Sequence, residues 1–388
     1  MRRITALIFI SILLNCSASF SETRARFLFI GDIMVHDQQL DAAKKKDGSY
    51  DFSPQFRRIK PIFENEFLIG NLETVFAGTG KKLKYAGFPF FNTPDVFTEN
   101  LINDLGVDLL TLANNHIFDR GSAGARRTVE VLNSNDISWT GLGLDDIPSN
   151  DAIILENNGI KAAFINHTYG SNEWPKSRDV HLNVISESDI EMSMEKAKSL
   201  SPDVIIALFH WGNEYHHQPN IHQKKAAETA FRNGADLIVG THPHVLQPVE
   251  IIISSDDNKV KAVAWSLGNF VSFQRTLPRE RSIILAADFV KDDDGLTRLA
   301  AISAVPLYVV APGRKRTEVT YAGNNTELIE RLNFDGLSKS QLNNLHNIGR
   351  AVLDFIGAGK TYDEYGFNIL WNAESPDIMP KSRRKVPR

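Results

Sequence analysis

The stretch DLIVGTHPHV, residues 236–245, joins a short apolar run to two histidines that flank a proline. Short runs of Val, Ile, Leu and Phe bounded by glycine are typical of strands buried on both faces. In layered α/β folds, ligands gather beyond the carboxyl ends of such strands. The proline restricts the directions of His242 and His244, so this strand end indicates a metal site.

Four other apolar runs end in a similar way. FLFI leads into GDIMVHD (31–37), and FLI leads into GNLE (70–73). VDLLTLA leads into NNH (114–116), and VIIALF leads into HWGNE (210–214). Because the carboxyl ends of parallel strands meet at one edge of a sheet, we expect their polar side chains to meet in one place. These side chains are Asp32, Glu73, Asn115, His116, His210, His242 and His244.

Each position also has a structural interpretation. Asp32 could cap a helix, and Glu73 alone is typical of a surface or ion-paired residue. Asn115 can give an amide oxygen to a cation, or it can belong to an asparagine-rich turn. His210 ends an apolar strand, where an imidazole is either a core group or a ligand. The joint occurrence of five such clusters, each with oxygen or imidazole donors and none supplying a sulfur ligand, favours a paired Mn, Fe or Zn centre.

Several neighbouring side chains are weaker candidates. Asp119 and Arg120 follow NNH closely and could orient His116 or contact an anion. The histidines after HWGNE are expected at the surface, and His217 is the candidate there for a substrate contact. Asn269, within SLGNF (266–270), is expected to pack or to support the site.

Composition limits the class of protein. The 388 residues are 42% hydrophobic and 23% charged, which is ordinary for a soluble globular protein with a large core. A net charge of -4 is too small to indicate a nucleic-acid or anionic-membrane partner. The basic end, KSRRKVPR (381–388), is expected to be a solvated tail.

The N-terminus predicts export. Two arginines precede an apolar core (4–14) that is short for a membrane span, and Ser-Ala-Ser (17–19) then offers a cleavage site. The sole cysteine, Cys16, lies inside this predicted signal peptide (1–19). Lipidation at Cys16 is the alternative. Cleavage after Ser19 would leave no thiolate, so a metal site would consist of oxygen and imidazole ligands.

Residues 20–290 are predicted to form the main α/β domain, and 291–388 a C-terminal extension of strands and a helix. Predicted helices are 94–105, 124–133, 187–200, 221–233 and 325–358. Further predicted strands are 153–155, 162–166, 261–267, 283–289 and one or two within 298–311. The segments 44–53 and 78–87 are predicted loops near the rim of the site.

The motifs GDIM, GNLE, FPFFNTPD, LANNHIFDRG, FHWGNEY, GADLIVGTHPHVLQPVE and SLGNF occur in that order within residues 27–290. Together they resemble the capsule-synthesis protein CapA family, the poly-γ-glutamate biosynthesis proteins. The fold of that family is related to calcineurin-like metallophosphatases. The resemblance implies a four-layer αββα sandwich that holds two divalent cations.

The resemblance also implies roles for individual residues. Asp32 and His244 would bind one cation, and Glu73 would bridge to the other, which Asn115, His210 and His242 would bind. His116 would donate a proton or hydrogen bond beside the substrate, which Arg120 and His217 would contact. The chain departs from the phosphatase pattern at Met34, where those enzymes carry a histidine that His36 could replace. It also has Asn71 and Glu73 where GDxxD would stand.

Two functions follow as hypotheses. The first is an exported, metal-dependent hydrolase or transferase of capsule or envelope polymer metabolism, periplasmic or surface-associated, acting on a phosphoester or amide. The second is a non-catalytic accessory subunit that binds or exports an anionic polymer, alongside capsule synthesis machinery in the membrane. Cations would then matter most, namely Lys81, Lys82, Lys84, Arg120 and Lys224.

Overall fold

The computed structural model describes residues 22–146, 151–177, 179–254, 259–311, 316–332, 334–359 and 361–374. The predicted signal peptide (1–19), with Cys16, and the basic end (381–388) lie outside the described residues.

The described residues form seventeen strands and seven α-helices. The strands are β1 (Thr23–Ile33), β2 (Phe67–Leu72), β3 (Val107–Thr111), β4 (Ser138–Thr140), β5 (Leu142–Leu144), β6 (Ala152–Asn157), β7 (Ile160–Thr168), β8 (Val180–Leu182), β9 (Val204–His210), β10 (Leu237–Thr241), β11 (Val249–Ile253), β12 (Val260–Ala264), β13 (Asn269–Val271), β14 (Arg281–Lys291), β15 (Thr297–Val310), β16 (Glu318–Tyr321) and β17 (Asn368–Asn372). The helices are α1 (Asp37–Ala43), α2 (Phe97–Asn100), α3 (Gly121–Ser134), α4 (Glu187–Ser199), α5 (Ile221–Arg232), α6 (Thr326–Arg331) and α7 (Lys339–Ile356).

The strands form two large sheets and one small one. The nine-stranded sheet has the order β16-β15-β14-β1-β2-β3-β4, with β13 beside β1 and β17 beside β15. The six-stranded sheet has the order β11-β12-β10-β9-β7-β6, and β5 pairs with β8 separately.

Alternation along β1 shows how the layers arise. Phe27 and Phe29 pack with residues of the six-stranded sheet, such as Phe164, in the core between the sheets. Leu28 and Ile30 face the opposite way and pack with α3, because successive side chains of a strand point to opposite faces. Helices α4 and α5 cover the outer face of the six-stranded sheet. The predicted four-layer αββα sandwich is confirmed.

Parallel pairing places one end of each sheet at the site. In the large sheet, β1, β2 and β3 run parallel. In the other sheet, β7, β9 and β10 also run parallel. All five predicted clusters lie at or just after the carboxyl ends of these strands.

Several predicted elements differ from the observed ones. The predicted helix 94–105 is α2 followed by a π-helical turn (Leu101–Leu105). The predicted helix 325–358 is two helices, α6 and α7, which each begin at a polar cap, Asn325 and Ser338. The short strands β4, β5, β8 and β13 were not predicted, because three residues carry too little periodicity to identify a strand.

The C-terminal segment supplies strands to the large sheet. Strand β15 pairs along β14, and β16 and β17 pair with β15. The proposed boundary at residue 290 falls at the end of β14, so the segment after it extends the same sheet. Among the helices in the described ranges, none has both the length and the apolar composition to cross a bilayer.

Candidate metal centre

Asp32 lies within β1, at an irregularity in the strand. The register of β1 shifts beside Asp32 on both of its parallel neighbours, β2 and β13. Such bulges re-aim a side chain beside a site. A Cβ on Gly31 would meet the carbonyl oxygen of Gly268 at 1.8 Å, so glycine is required where β1 crosses the SLGNF segment.

The Asp32 carboxylate is buried and accepts several hydrogen bonds. The Asn71 amide donates to Oδ1 at 2.8 Å, and Nδ1 of His244 lies 3.0 Å from Oδ2. The backbone N–H of His242 approaches both oxygens, at 3.4 and 3.3 Å. Asp32 therefore links β2 to the loop after β10.

Glu73 lies just beyond β2 and is completely buried, and neither carboxylate oxygen has a hydrogen-bond partner among the described residues. Its nearest basic groups are Nε2 of His210 at 3.5 Å and Nε2 of His244 at 3.8 Å, and neither contact is a hydrogen bond. Burial, with the Asp32 charge second, raises the pKa of Glu73 well above its usual value. A buried carboxylate without a donor is costly, and a cation would offset that cost.

His210, the last residue of β9, is oriented by contacts to its Nδ1 atom. Its Nδ1 lies 3.1 Å from the Thr241 hydroxyl and 3.2 Å from the Asn71 amide nitrogen. These contacts turn Nε2 toward Asn115 Oδ1, at 2.8 Å, and toward Glu73. Burial, reinforced by His242, lowers the pKa of His210 well below its usual value. The ring is therefore neutral, which is the form that binds metal ions.

His242 and His244 both have left-handed backbone conformations, with φ values of 94° and 56°. Non-glycine residues held in this region cluster at functional sites. Nδ1 of His242 is buried without a hydrogen-bond partner in the described chain, and burial lowers the pKa of His242 well below its usual value. Nδ1 of His244 lies 2.9 Å from Asn269 Oδ1, so that Nε2 faces Glu73.

The ligand atoms form two groups of three that share one residue. Glu73, His242 and His244 form one group, and Asp32, Glu73 and His210 form the other, with the atoms of each within 4.8 Å of one another. Glu73 is the residue that the two groups share, and its predicted role as a bridge stays a prediction. The groups pair the remaining residues differently from the predicted assignment, in which Asp32 and His244 share one cation. The assignment of each ligand to a cation stays a prediction.

This donor set fits divalent cations. It comprises two carboxylates, three imidazoles, the Asn115 amide and no thiolate, which suits Mn, Fe or Zn. Three buried atoms of the two groups, both Glu73 oxygens and His242 Nδ1, have no hydrogen-bond partner among the described residues. Buried polar atoms are otherwise almost always hydrogen-bonded. The residues present therefore fit the cations that the sequence predicts.

His116 lies beside the centre and is oriented by a carboxylate. Its Nδ1 lies 2.9 Å from Asp119 Oδ2, and that oxygen also accepts the backbone N–H of Phe91 at 2.7 Å. The other ring nitrogen, Nε2, lies 3.5 Å from the Asn172 amide nitrogen. A histidine held through one nitrogen by a carboxylate presents the other nitrogen for proton transfer.

The two predicted substrate contacts have protein partners in the structure. The Arg120 guanidinium donates to the backbone carbonyls of Phe90 and Phe91, so it fixes the loop beside His116. His217 is exposed, and its Nδ1 donates to the Leu246 carbonyl at 2.9 Å. Both roles stay predictions.

Met34 and His36 serve the fold around α1. Met34 is buried, and its carbonyl accepts the Gln39 amide at 3.1 Å. His36 is the N-cap residue of α1, and its Nδ1 accepts the backbone N–H of Phe273 at 3.2 Å. Burial lowers the pKa of His36 to about 4. Among the described residues, His36 belongs to neither group of ligand atoms.

Tyr169 is a site residue that the sequence did not indicate. Its ring centroid lies 4.5 Å from that of His242 and 6.3 Å from that of His210. It directly follows β7, and its backbone N–H donates to the His210 carbonyl at 2.9 Å. The sequence pattern that identified the other site residues is also present here, because NHTYG (166–170) ends an apolar strand with polar side chains.

The sequence matches the model of one protein family, the bacterial capsule synthesis protein PGA_cap, over residues 26–274. A capsule biosynthesis protein CapA of Bacillus anthracis is 28% identical over 290 residues, which cover 72% of this chain and 66% of that protein. A PGA biosynthesis protein CapA of Bacillus subtilis is 27% identical over 266 residues, covering 68% and 67%. The matches thus span about two thirds of the length of these relatives. Among solved structures, a calcineurin-like phosphoesterase of Bacillus subtilis aligns with 87% of this chain and 99% of its own, at a TM-score of 0.42 and 13% identity.

Proposed function

The chain belongs to the bacterial capsule synthesis protein PGA_cap family, and we propose that it is a metal-dependent hydrolase or transferase of capsule or envelope polymer metabolism. One observation carries the proposal. Glu73 is shared by two groups of ligand atoms, and neither of its buried oxygens has a hydrogen-bond donor within the described chain. A carboxylate so placed suits a bridge between two cations.

The residues that would hold the cations are those of the two groups, with the Asn115 amide oxygen beside His210. Cations bound there would polarise a phosphoryl or carbonyl oxygen and lower the pKa of a bound water molecule. Asp32 accepts hydrogen bonds from Asn71, His242 and His244, so the ligand segments are fixed relative to each other. That preorganisation reduces the entropy cost of binding.

His116 would act on the substrate as a general acid. Asp119 accepts from Nδ1 of the ring, and Nε2 has only the 3.5 Å contact with the Asn172 amide, so a protonated ring would give its Nε2 proton to the departing oxygen or nitrogen. The same arrangement serves a phosphoester or an amide, because both reactions release a group that needs a proton. Arg120 and His217 are the proposed contacts for the rest of an anionic substrate.

The source of the substrate is inferred from the relatives, and the cellular location is inferred from the N-terminus. The relatives are described as capsule and PGA biosynthesis proteins, which supports an anionic envelope polymer as the substrate or its source. Residues 1–19 have the pattern of a signal peptide, so the protein would act in the periplasm or at the surface. It would work beside capsule synthesis machinery in the membrane, and lipidation at Cys16 is the alternative anchor.

The test is metal content together with activity. Protein purified and supplied with Mn should hold about two ions per chain and hydrolyse phosphoesters or γ-glutamyl polymers. Asp32→Ala and His242→Ala should each lose metal and at least about 100-fold in rate. His181→Ala is the matched control, because His181 is exposed and pairs with Asp145 away from the centre. Full-length protein without stoichiometric metal after Mn supply would refute the proposal.

A non-catalytic polymer-binding function remains the second candidate. Lys81, Lys82 and Lys84 are exposed on one loop, and the far end of that loop packs against His116 through Phe91. If polymer binding is lost when these lysines become glutamine but survives Asp32→Ala, this second function is favoured. Lys224→Gln, on α5, tests whether the effect is specific to the loop.

A further inference from the structure

Two loops that border His116 expose large aromatic side chains. The first, the Phe88 loop (78–91), presents Phe88, which is 65% exposed and whose ring centroid lies 6.5 Å from that of His116. The second, the Trp174 loop (169–174), presents Trp174, which is 60% exposed and whose ring lies 6.1 Å from that of Phe118. Phe90 and Tyr169, also exposed, belong to the same two loops.

The Phe88 loop is fixed on both sides of Phe88. Before it, the backbone N–H of Gly87 donates to Asp37 Oδ1 at 2.7 Å, and a Cβ on Gly87 would meet the Asp37 nitrogen at 2.4 Å. After it, Phe91 donates to Asp119, and Arg120 donates to the carbonyls of Phe90 and Phe91. The exposed ring is therefore presented by a fixed backbone.

The Trp174 loop is attached to the centre itself. Its first residue, Tyr169, donates to the His210 carbonyl, and Asn172 donates through its backbone to the Asn115 carbonyl, each at 2.9 Å. The Asn172 side chain reaches His116 Nε2 at 3.5 Å. Both loops thus contact the segments that carry the candidate ligands and acid, so their aromatic side chains lie where a bound substrate would extend.

We propose that the two loops select a leaving group that carries a ring with a stackable face, such as an aryl, nucleobase or sugar ring. Aromatic faces stack on such rings and contact open chains less well. This inference rests on the proposed function, because it assumes that His116 protonates the departing oxygen. In that step a water oxygen bonds to phosphorus and the bond from phosphorus to the leaving oxygen breaks. The leaving oxygen takes a proton from His116 Nε2, and the water supplies the proton that restores it.

The experiment compares ring and open-chain substrates of matched leaving-group basicity. Benzyl phosphate is paired with n-heptyl phosphate, and glucose 6-phosphate with sorbitol 6-phosphate. Phe88→Ala and Trp174→Ala should each lower kcat/KM for the preferred ring member about fivefold, and for its open-chain counterpart less than about twofold. Mn content should not change.

Met192→Ala is the control, since Met192 is 63% exposed on α4, and it should change kcat/KM for neither member of a pair. The two pairs distinguish an aryl from a sugar ring.

A binding measurement keeps the outcome independent of turnover. Benzyl phosphonate and n-heptyl phosphonate are titrated by calorimetry into the Mn-loaded protein and its Phe88→Ala variant. Tighter binding of the ring compound, lost in the variant, supports the inference even if nothing is hydrolysed, in which case only the proposed catalytic function fails. Equal binding of ring and chain, or equal losses in the variant, would overturn the inference whatever the turnover.

Discussion

Strand β1 carries a buried charged cluster near each end, and the two clusters are balanced in different ways. Near its start, Arg26 donates to Ser303 Oγ at 2.8 Å and to Asp363, and its Nε lies 3.7 Å from Asp288 Oδ1. Near its end, Asp32 lies with Glu73 and the histidines of the candidate centre. In the first cluster the chain supplies the cation. In the second, no lysine or arginine of the described residues pairs with either carboxylate.

This difference shows what each cluster is for. The Arg26 cluster ties the C-terminal segment to the main sheet, because Asp363 also accepts the backbone N–H groups of Tyr365 and Phe367. The centroid of the Tyr365 ring lies 4.0 Å from the guanidinium carbon of Arg26. Buried charges that are paired within the fold are structural. A buried carboxylate such as Glu73, which accepts no hydrogen bond from the described residues and pairs with none of their lysines or arginines, instead favours a cation from outside the chain.

Removing the internal cation should have the largest effect on stability. Arg26→Met leaves the buried Asp288 without its cationic partner and removes one of the donors to Asp363, which should lower the free energy of unfolding by about 3–5 kcal/mol. Urea unfolding followed by circular dichroism measures the loss. Mn stoichiometry of the folded variant should be unchanged, because Arg26 lies at the opposite end of β1 from Asp32.

The neighbouring Arg24 provides the matched control. Arg24 pairs with Glu364 at 3.4 Å, and both side chains are largely exposed. Arg24→Met should therefore cost less than about 1 kcal/mol. Equal losses for the two arginine variants, or loss of Mn from Arg26→Met, would contradict the separation of the two clusters.

The pH dependence of the structural cluster should be next in size. Burial, only partly offset by Arg26, raises the pKa of Asp288 to about 6 from its usual value of 3.8. The folded state then binds a proton more tightly than the unfolded state, so this group's contribution to stability falls as pH rises through that range. Asp288→Asn removes the decline. The stability of the variant relative to the wild type should rise by about 3 kcal/mol between about pH 3.5 and about pH 7.

Urea titrations of both proteins at several pH values measure this difference. Asp294→Asn changes an exposed aspartate that follows β14, and it should reproduce the wild-type pH curve. A constant difference between Asp288→Asn and the wild type across the pH range would show that Asp288 does not titrate differently in the folded protein.

The two clusters also differ in how far the sequence predicted them. Apolar runs that end in Asp, His or Asn indicated the centre, since parallel strands bring their carboxyl ends together. The sequence placed Asp32, Glu73 and His210 in one site, and the structure brings them together. Arg26 and Asp363 belong to no such pattern, because their contact joins the first strand to the segment before the last strand and depends on tertiary packing.

The contacts between individual side chains of the centre could not be predicted from the sequence. The bulge at Asp32 and the hydrogen bond from His244 to Asn269 depend on how SLGNF crosses β1. The position of Tyr169 over His242 depends on how the two sheets pack. Motif order therefore predicts which strand ends converge, whereas tertiary packing decides which atoms face each other.

The smallest expected effect concerns cation binding at Glu73. Mn should stabilise the wild-type protein by about 2.7 kcal/mol when its concentration is about 100 times the dissociation constant. Glu73→Gln keeps the shape of the side chain but removes the charge that both groups of ligand atoms share. The unfolding temperature should therefore be higher in Mn than in EDTA for the wild type and nearly the same in both for the variant.

In EDTA, Glu73→Gln should unfold at the same temperature as the wild type or higher, because burial raises the pKa of Glu73 and the ionised carboxylate costs stability when no cation balances it. Glu66→Gln is the matched control, since burial also raises the pKa of Glu66, outside the centre. It should keep the full Mn shift. If Mn stabilises Glu73→Gln as strongly as the wild type, the cation does not bind at Glu73, and the contrast between the two ends of β1 needs another explanation.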